Sequence, residues 1–396
     1  MAIVGITDPS RTPRHWAPFE LAFRPFFLLA GIGAVILVSL WGYVFAHGPA
    51  GAGYYGFIGW HSHEMLFGYT AAVIVGFLLT AARNWTGVQT LRGVPLALLA
   101  LLWLAGRVLA LLPAPPWLTA AVDLAFLPLA ALALLLPLLK GRHYKSLMFV
   151  AILLGLALGN GLVHLQLLGM TAHTATAGTY LAVGMILLII VIMGGRVIPF
   201  FTEKGVTTGF VRREWRWVEI AAPLSVLALA LIEGVLPQPT LVALAAGTAA
   251  VVNGVRLSGW YTHAIWRVPL VWVLQVGYAW LVLGLLLKAV AAASGAGTLL
   301  ALHAATIGGI GGITLGMMAR VTLGHTGRVL STPPAMPWAF ALLYVAALLR
   351  VFLPLLLPSY ALTVALSAVF WSVAFALFVW SYGLMLLRPR IDGRPG

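Results

Sequence analysis

Metal-binding side chains cluster at the start of a long apolar run. The stretch WHSHEM, residues 60–65, contains His61, His63, Glu64 and Met65. Imidazole, carboxylate and thioether groups bind transition metals, and the chain has no cysteine, so thiolate ligands and disulfides are excluded. On a helix, His61 shares a face with Glu64 and Met65, whereas His61 and His63 are about 200° apart. We therefore expect one metal to bind both histidines only if the helix begins after His61.

The apolar run that follows this stretch is one of twelve, as in a polytopic membrane protein. The chain of 396 residues is 62% hydrophobic and 8% charged, against about 25% charged in soluble domains. Each run approaches the roughly 20 residues that cross a bilayer, and backbone groups in hydrocarbon must be satisfied within a helix. We predict an all-α bundle of twelve transmembrane helices, at about 24–46, 60–82, 94–112, 117–139, 146–168, 174–200, 217–236, 239–255, 268–291, 297–319, 336–357 and 362–386.

Basic residues are concentrated on one side of these helices. Most of the 23 Lys and Arg residues lie in the N-terminal segment, in every second loop and in the C-terminal tail, and the intervening loops have none. By the positive-inside rule, residues 1–23 and 387–396 are cytoplasmic and 24–386 form one membrane domain. The net charge of +14 is then a topology signal, so we predict the lipid bilayer as partner and no nucleic acid.

Histidines of three predicted helices lie at similar depths on the outer side. His63, His164 and His303 are nominally about 4, 6 and 9 Å from the boundary, since a helical residue rises about 1.5 Å. Ionisable groups inside a membrane are costly and mark functional sites by default, so we predict a metal site in the outer half. Asn160, one turn before His164, is placed to orient that ring. A hydrogen-bonded packing role is the alternative for each histidine taken singly.

The tenth predicted helix combines His303 with a stripe of small residues. Ala304, Gly308, Gly312 and Gly316 recur every four residues. Such a stripe lets a neighbouring helix approach closely, and it would equally let a flat haem lie against the helix. Both interpretations of this face are open.

Other charges in the apolar runs are expected to be paired. Arg107 and Asp123 flank the turn at 113–116 at nearly equal depth, so we predict that they pair across a helical hairpin. Glu233 and Arg350 lie in the same outer half. Pairing is the expected way to bury such groups.

The ends of two helices repeat at a spacing of four helices. Helix six ends MGGRVIPFFT and helix ten ends MMARVTLGHT, which aligns Arg196 with Arg320 and Thr202 with Thr326. Helix two runs into Arg83, Thr86 and Gly87 at the same membrane face, although their spacing does not match that of the other two. The pattern predicts a four-helix internal repeat, in competition with a six-and-six division around the basic loop near 201–216, as in many transporters.

Five motifs make the chain resemble a known family. They are FRPFFLLAG at 23–31, WHSHEM at 60–65, NWTG at 84–87, GGRVIPFFT at 194–202 and HAATIGGIGGITLGMMARVTLGHTGR at 303–328. Together they resemble the NnrS family of bacterial inner-membrane proteins, described as containing haem and copper and as linked to nitric oxide metabolism, nitrosative stress and denitrification. The resemblance implies haem and copper as cofactors, nitric oxide as ligand and the inner membrane as location. Turnover, sensing and simple binding of nitric oxide are all compatible with it.

The resemblance and the histidine positions together predict the ligands. A haem with two axial imidazoles needs one on each face, and we predict His61 and His303, with His164 as a further candidate. Copper is predicted at His63, Met65 and His164. The residues predicted to support these sites are Glu64, Asn160, Arg196, Arg320 and His325.

A secondary transporter of a small solute is the alternative function for a twelve-helix protein. It predicts a polar site near the middle of the membrane and broken helices there. The sequence places its histidines in the outer half instead. Metal handling for a reductase elsewhere in the cell is a third hypothesis.

Overall fold

The computed structural model describes residues 16–48, 53–206, 209–235 and 237–394, and this part of the chain contains helices and no strand. The helices are α1 Phe23–His47, α2 Phe57–Thr86, α3 Val94–Leu109, α4 Pro116–Lys140, α5 Tyr144–Leu167, α6 Thr174–Gly205, α7 Arg216–Gly234, α8 Pro239–Ser258, α9 Pro269–Ser294, α10 Thr298–His325, α11 Met336–Leu355 and α12 Tyr360–Leu387. Each predicted run corresponds to one of them. The predicted all-α membrane bundle is confirmed.

Eleven of these helices are long and apolar enough to cross a membrane, and α3 is shorter, with 16 residues. The two ends of the chain decide how α3 is counted. Just before α1, the Ala17 backbone N–H donates to the carbonyl of Leu387 at the end of α12, at 2.8 Å. The first and last helices therefore have these ends on one face, which requires an even number of crossings. Twelve crossings, with α3 as the short one, satisfy that requirement.

Three helices spaced four apart form the interior of the bundle. Within their most apolar windows, 83% of α2, 72% of α6 and 67% of α10 is buried, more than in any other span described. This arrangement has the spacing of the predicted four-helix period, since the inner helices are the second, sixth and tenth. The histidines of α2 and α10 therefore lie on two of the three most buried helices.

The small-residue stripe of α10 packs against neighbouring helices. A Cβ atom added to Gly308 would lie 2.4 Å from the Trp280 side chain of α9, and one added to Gly312 would lie 2.4 Å from the Tyr344 hydroxyl of α11. Such distances leave no room for a side chain. The helix-packing interpretation is therefore correct, and a macrocycle against this face is excluded.

Two helices contain π-helical stretches, each directly after a histidine. In α2 the stretch is Glu64–Thr70, following His63, and in α10 it is Ala304–Gly311, following His303. In a π-helix each N–H bonds five residues back instead of four, and such turns occur frequently at functional sites. Both stretches contact α6. Two of the three inner helices, α2 and α10, are thus locally widened next to their histidines.

Candidate metal and cofactor sites

His61 and His303 line one cavity in the half of the bundle opposite the two chain ends. The cavity encloses about 180 Å³, more than about ten times the space one water molecule requires. Its walls come mainly from α1, α2, α6, α10, α11 and α12, and most of the lining side chains are apolar. Met65, one turn after His61, lines the same cavity. The helical angle between His61 and Met65 predicted this shared direction.

The two histidines of the cavity have nitrogens free to bind a ligand. The Nδ1–H of His303 donates to the Leu299 carbonyl at 2.7 Å, which leaves Nε2 without a proton. Ligating histidines are commonly fixed in this way. The His61 ring stacks on Trp41 with ring centroids 4.2 Å apart, and its buried Nδ1 has no hydrogen-bond partner among the described residues.

His63 points to a second, fully buried cluster with Asp123 and His164. Both Nε2 atoms lie 3.1 Å from Oδ2 of Asp123, and one donor atom from each residue lies within 4.8 Å of the others. Asn160 Nδ2 donates to the same oxygen at 2.7 Å. The ring of His63 stacks on Tyr55, with centroids 3.9 Å apart. His61 and His63 therefore serve different sites, as their helical angle predicted.

Two carboxylates in this cluster face one guanidinium. Arg107 Nε lies 2.8 Å from Glu64 Oε2, and Arg107 Nη2 also pairs with Asp123, so the predicted hairpin pair is confirmed. The carboxylate of Glu64 lies with His63, 3.2 Å from its Nδ1, and not with His61. The cluster consequently carries one uncompensated negative charge unless an imidazole is protonated or a cation binds. Buried charges need such compensation.

The outer end of the cluster is closed by Tyr54. Its hydroxyl lies 2.8 Å from Nδ1 of His164, and burial, with Asp123 as a second cause, raises the pKa of Tyr54 to about 12. The phenol therefore stays protonated at neutral pH. Because Nε2 of His164 faces the acceptor-only carboxylate of Asp123, it carries the proton, and Nδ1 accepts from the Tyr54 hydroxyl.

The other predicted supporting residues lie toward the opposite ends of the helices. The guanidinium of Arg320 lies over the Phe201 ring at 3.7 Å, and that of Arg196 over Phe149 at 5.6 Å. The ring of His325 packs beside Phe23. His325 is 22 residues along α10 from His303, roughly 30 Å at 1.5 Å per residue. Arg196, Arg320 and His325 are not among the residues that line the His61 cavity.

Glu233 and Arg350, which were expected in the same half of the bundle, do not pair with each other in the described structure. Glu233 of α7 forms its ion pair with Lys288 of α9, at 2.5 Å. Arg350 of α11 instead lines the His61 cavity. Equal depth alone did not identify the partner, because α7 packs against α6 and α8 while α11 packs against α12 and α10.

A second, smaller cavity lies deeper in the bundle. It encloses about 60 Å³ and is lined almost entirely by apolar side chains, among them Phe27, Ile190 and Met317. The Tyr69 hydroxyl, whose residue lines the first cavity, lies 2.6 Å from Oγ1 of Thr314, which lines the second. The bond thus joins a residue of α2 that lines the first cavity to a residue of α10 that lines the second.

Sequence reasoning missed Asp123 as a partner of the histidines. Its depth on α4 matches that of Arg107, and this match was the only signal used. The same depth also matches His63 on α2 and His164 on α5, the helices adjacent to α4 in the bundle. Tyr54 gave no signal, because it lies in a loop outside every predicted helix.

The helices and these two sites define the class of the molecule: a polytopic helical membrane protein with two histidine sites in the half of the bundle opposite the chain ends. A family model described as NnrS protein matches residues 17–390, nearly the whole chain. The chain belongs to the NnrS family, as its motifs predicted. Comparison with the curated proteins gives no match.

Proposed function

We propose that this chain is a haem- and copper-binding protein of the bacterial inner membrane that acts in nitric oxide metabolism or in protection against nitrosative stress. The observation that carries the proposal is the cavity faced by His61 and His303. These histidines come from two motifs of the family and from the two helices with π-helical stretches.

His61 and His303 are the proposed haem ligands. The fit is supported by the unpartnered Nδ1 of His61 and by the free Nε2 of His303. The mainly apolar walls suit a porphyrin body, and Trp41 holds the His61 ring by stacking. A haem bound here would supply an iron that binds nitric oxide. His164, the third predicted haem candidate, does not line this cavity and is proposed for copper instead.

His63, Asp123 and His164 are the proposed copper ligands, with Asp123 in place of Met65. Two imidazoles and a carboxylate suit a divalent transition metal. Each Nε2 lies 3.1 Å from the Asp123 oxygen, and the three donor atoms lie within 4.8 Å of one another, so one cation could contact all three residues. The uncompensated negative charge of the cluster also favours a cation. Glu64 and Asn160 would orient His63 and Asp123 from outside.

Nitric oxide suits sites of this kind because it is small, neutral and soluble in lipid. It reaches a buried cavity through the bilayer without a polar channel. The hydrogen bond of the Tyr69 hydroxyl to Thr314 joins residues that line the ligand cavity and the deeper apolar one.

The test is an optical spectrum and an elemental analysis of purified protein, with and without nitric oxide. We expect a Soret band that shifts with nitric oxide, together with iron and copper. H61A and H303A should lower haem but not copper, and H63A and H164A should lower copper but not haem. The matched control is H47A, since His47 is exposed at the outer end of α1 and stacks on Tyr43. Protein without a Soret band, iron or copper contradicts the proposal.

A secondary transporter is the alternative, and the middle of the bundle disfavours it. The smaller cavity, which lies deeper in the bundle, is lined by apolar groups except for Thr314. Of the buried charges described, Arg107, Asp123 and Arg350 lie toward the end of the bundle with the histidine sites, and Arg24, Arg256 and Arg320 lie toward the other end. Substrate-dependent proton or sodium flux in proteoliposomes, with no metal in the protein, would establish the transporter instead.

A further inference from the structure

Arg350 brings a buried positive charge to the His61 cavity. Its side chain lines the cavity and is 7% exposed. Apart from the histidines, every other lining residue described is uncharged. A buried guanidinium is costly unless an anion compensates it.

The described part of the chain supplies no carboxylate for that charge. Of the nine acidic residues, seven form ion pairs with other cations, namely Glu64, Asp123, Glu203, Glu214, Glu219, Glu233 and Asp392. Glu20 lies before α1, at the opposite side of the bundle from Arg350, and Asp8 lies outside the described residues. Within the part of the chain that is described, Arg350 forms no ion pair.

A neutral side chain holds Arg350 in place. Its Nη2 donates to the Tyr360 hydroxyl at 2.6 Å, and the guanidinium carbon lies 4.7 Å from the Tyr360 ring centroid. These contacts fix the direction of the guanidinium without neutralising it. A guanidinium has five N–H donors, so several stay available to another acceptor.

The cavity therefore fits an amphipathic ligand with an apolar body and an anionic end. Apolar walls enclose the body and two imidazoles face it, while one guanidinium offers a site for an anion. A guanidinium matches the two oxygens of a carboxylate in a bidentate geometry.

We propose that Arg350, oriented by Tyr360, binds a carboxylate of the molecule that occupies the His61 cavity. This inference rests on the proposed haem function, because haem is a flat apolar macrocycle that carries carboxylate side chains. It assigns Arg350 a role in binding and orientation, separate from the ligation of the iron.

The experiment compares haem with its dimethyl ester, in which both carboxylates are esterified. Haem-free protein in dodecyl maltoside, a detergent without phosphate or charge, is titrated with each compound, and the Soret change gives the dissociation constant. Wild type should bind haem more tightly than the diester by about 10- to 100-fold, as expected for a charge-assisted hydrogen bond. R350Q should bind the two compounds equally, and R350K should show an intermediate preference.

Two controls complete the comparison. K288Q removes another outer-half cation, paired with Glu233 outside the cavity, and should keep the wild-type preference. Y360F keeps the ring but removes the hydroxyl, and should reduce the preference by less than R350Q. Should R350Q fail to fold, as judged by its helical circular dichroism, R350K alone decides whether the preference falls.

The outcomes separate the two proposals. Equal binding of haem and diester by wild type overturns the role of Arg350 while leaving haem binding intact. A preference that R350Q or R350K retains in full overturns it as well. Absence of a Soret change with either compound overturns the proposed haem function itself, and this inference with it.

Discussion

Asp123 is the centre of the buried cluster, and D123N is the most informative substitution there. The carboxylate accepts from His63, His164 and Asn160 on one oxygen and pairs with Arg107 through the other. An asparagine of the same shape has one acceptor oxygen and presents an NH₂ group to donors. The substitution therefore loses contacts on one side of the residue, whichever way the amide turns.

The expected loss of stability is about 3 kcal/mol. A hydrogen bond to a charged group contributes about 1.5–3 kcal/mol, and a buried donor left without an acceptor costs about 1–3 kcal/mol more. Because Glu64 still pairs with Arg107, no charge is left uncompensated, and the loss stays near the low end of the combined range. The contacts share one carboxylate, so their separate contributions do not add.

E219Q is the matched control, since Glu219 pairs with the buried Arg256 outside the cluster. The Glu219 side chain is 29% exposed, and Arg256 also donates to the Val191 carbonyl at 2.7 Å. We expect a loss of about 1 kcal/mol, typical of one hydrogen bond.

The assay is unfolding of chelator-treated protein in mixed micelles with increasing dodecyl sulfate, followed by circular dichroism. Removing metal beforehand separates the stability of the cluster from metal binding. If D123N loses no more than E219Q, the four contacts of Asp123 do not hold α2, α4 and α5 together, and the reasoning is refuted.

Three further predictions concern packing, the Tyr69 hydrogen bond and pH. G308V should lower the free energy of unfolding by about 1–3 kcal/mol, because the added side chain overpacks against α9. G161A should be neutral or stabilising, because a Cβ atom there meets no atom within 4 Å. Equal effects of the two substitutions would contradict the close approach of α9 to Gly308. Y69F should lower the free energy of unfolding by about 0.5–1.5 kcal/mol, because it removes a hydrogen bond. Y382F should leave the free energy of unfolding unchanged, because the buried Tyr382 hydroxyl has no partner among the described residues. The reverse order of effects would contradict this reasoning. Hydrogen bonds from Arg390 hold the pKa of Asp392 below the ordinary 3.8. The ionised carboxylate therefore contributes stability above its unfolded pKa, and this contribution is lost as the pH falls through the lowered folded pKa. D392N should raise the amide exchange rate of the C-terminal segment at pH 7, and unchanged exchange would contradict this role of Asp392.

Hydrophobicity and helical geometry were enough to predict the helices and the directions of their side chains. The twelve runs required only the length of apolar sequence, and the opposite directions of His61 and His63 required only the helical angle. Arg107 and Asp123 are joined by a short turn, so equal depth sufficed to pair them. Each of these features depends on one helix or on two consecutive ones.

Features that depend on the order of helices around the bundle were not predicted. Asp123 meets His63 and His164 because α4 packs beside both α2 and α5, and no pattern in one helix encodes that contact. Glu64 lies with His63 because Arg107 of α3 draws its carboxylate to that side. Arg350 has the depth of Glu233 but faces the cavity, since α7 and α11 are not adjacent.

The directions in which His61 and His63 point depend on the number of residues in the π-helical stretch of α2. Glu64–Thr70 lies between the histidines and the long α-helical part Ala71–Thr86. Deleting one residue there would allow ordinary α-helical hydrogen bonding and would turn everything before it by about 100° relative to the part that follows. His61 would then leave its cavity and His63 would leave Asp123, with no side chain of either site substituted.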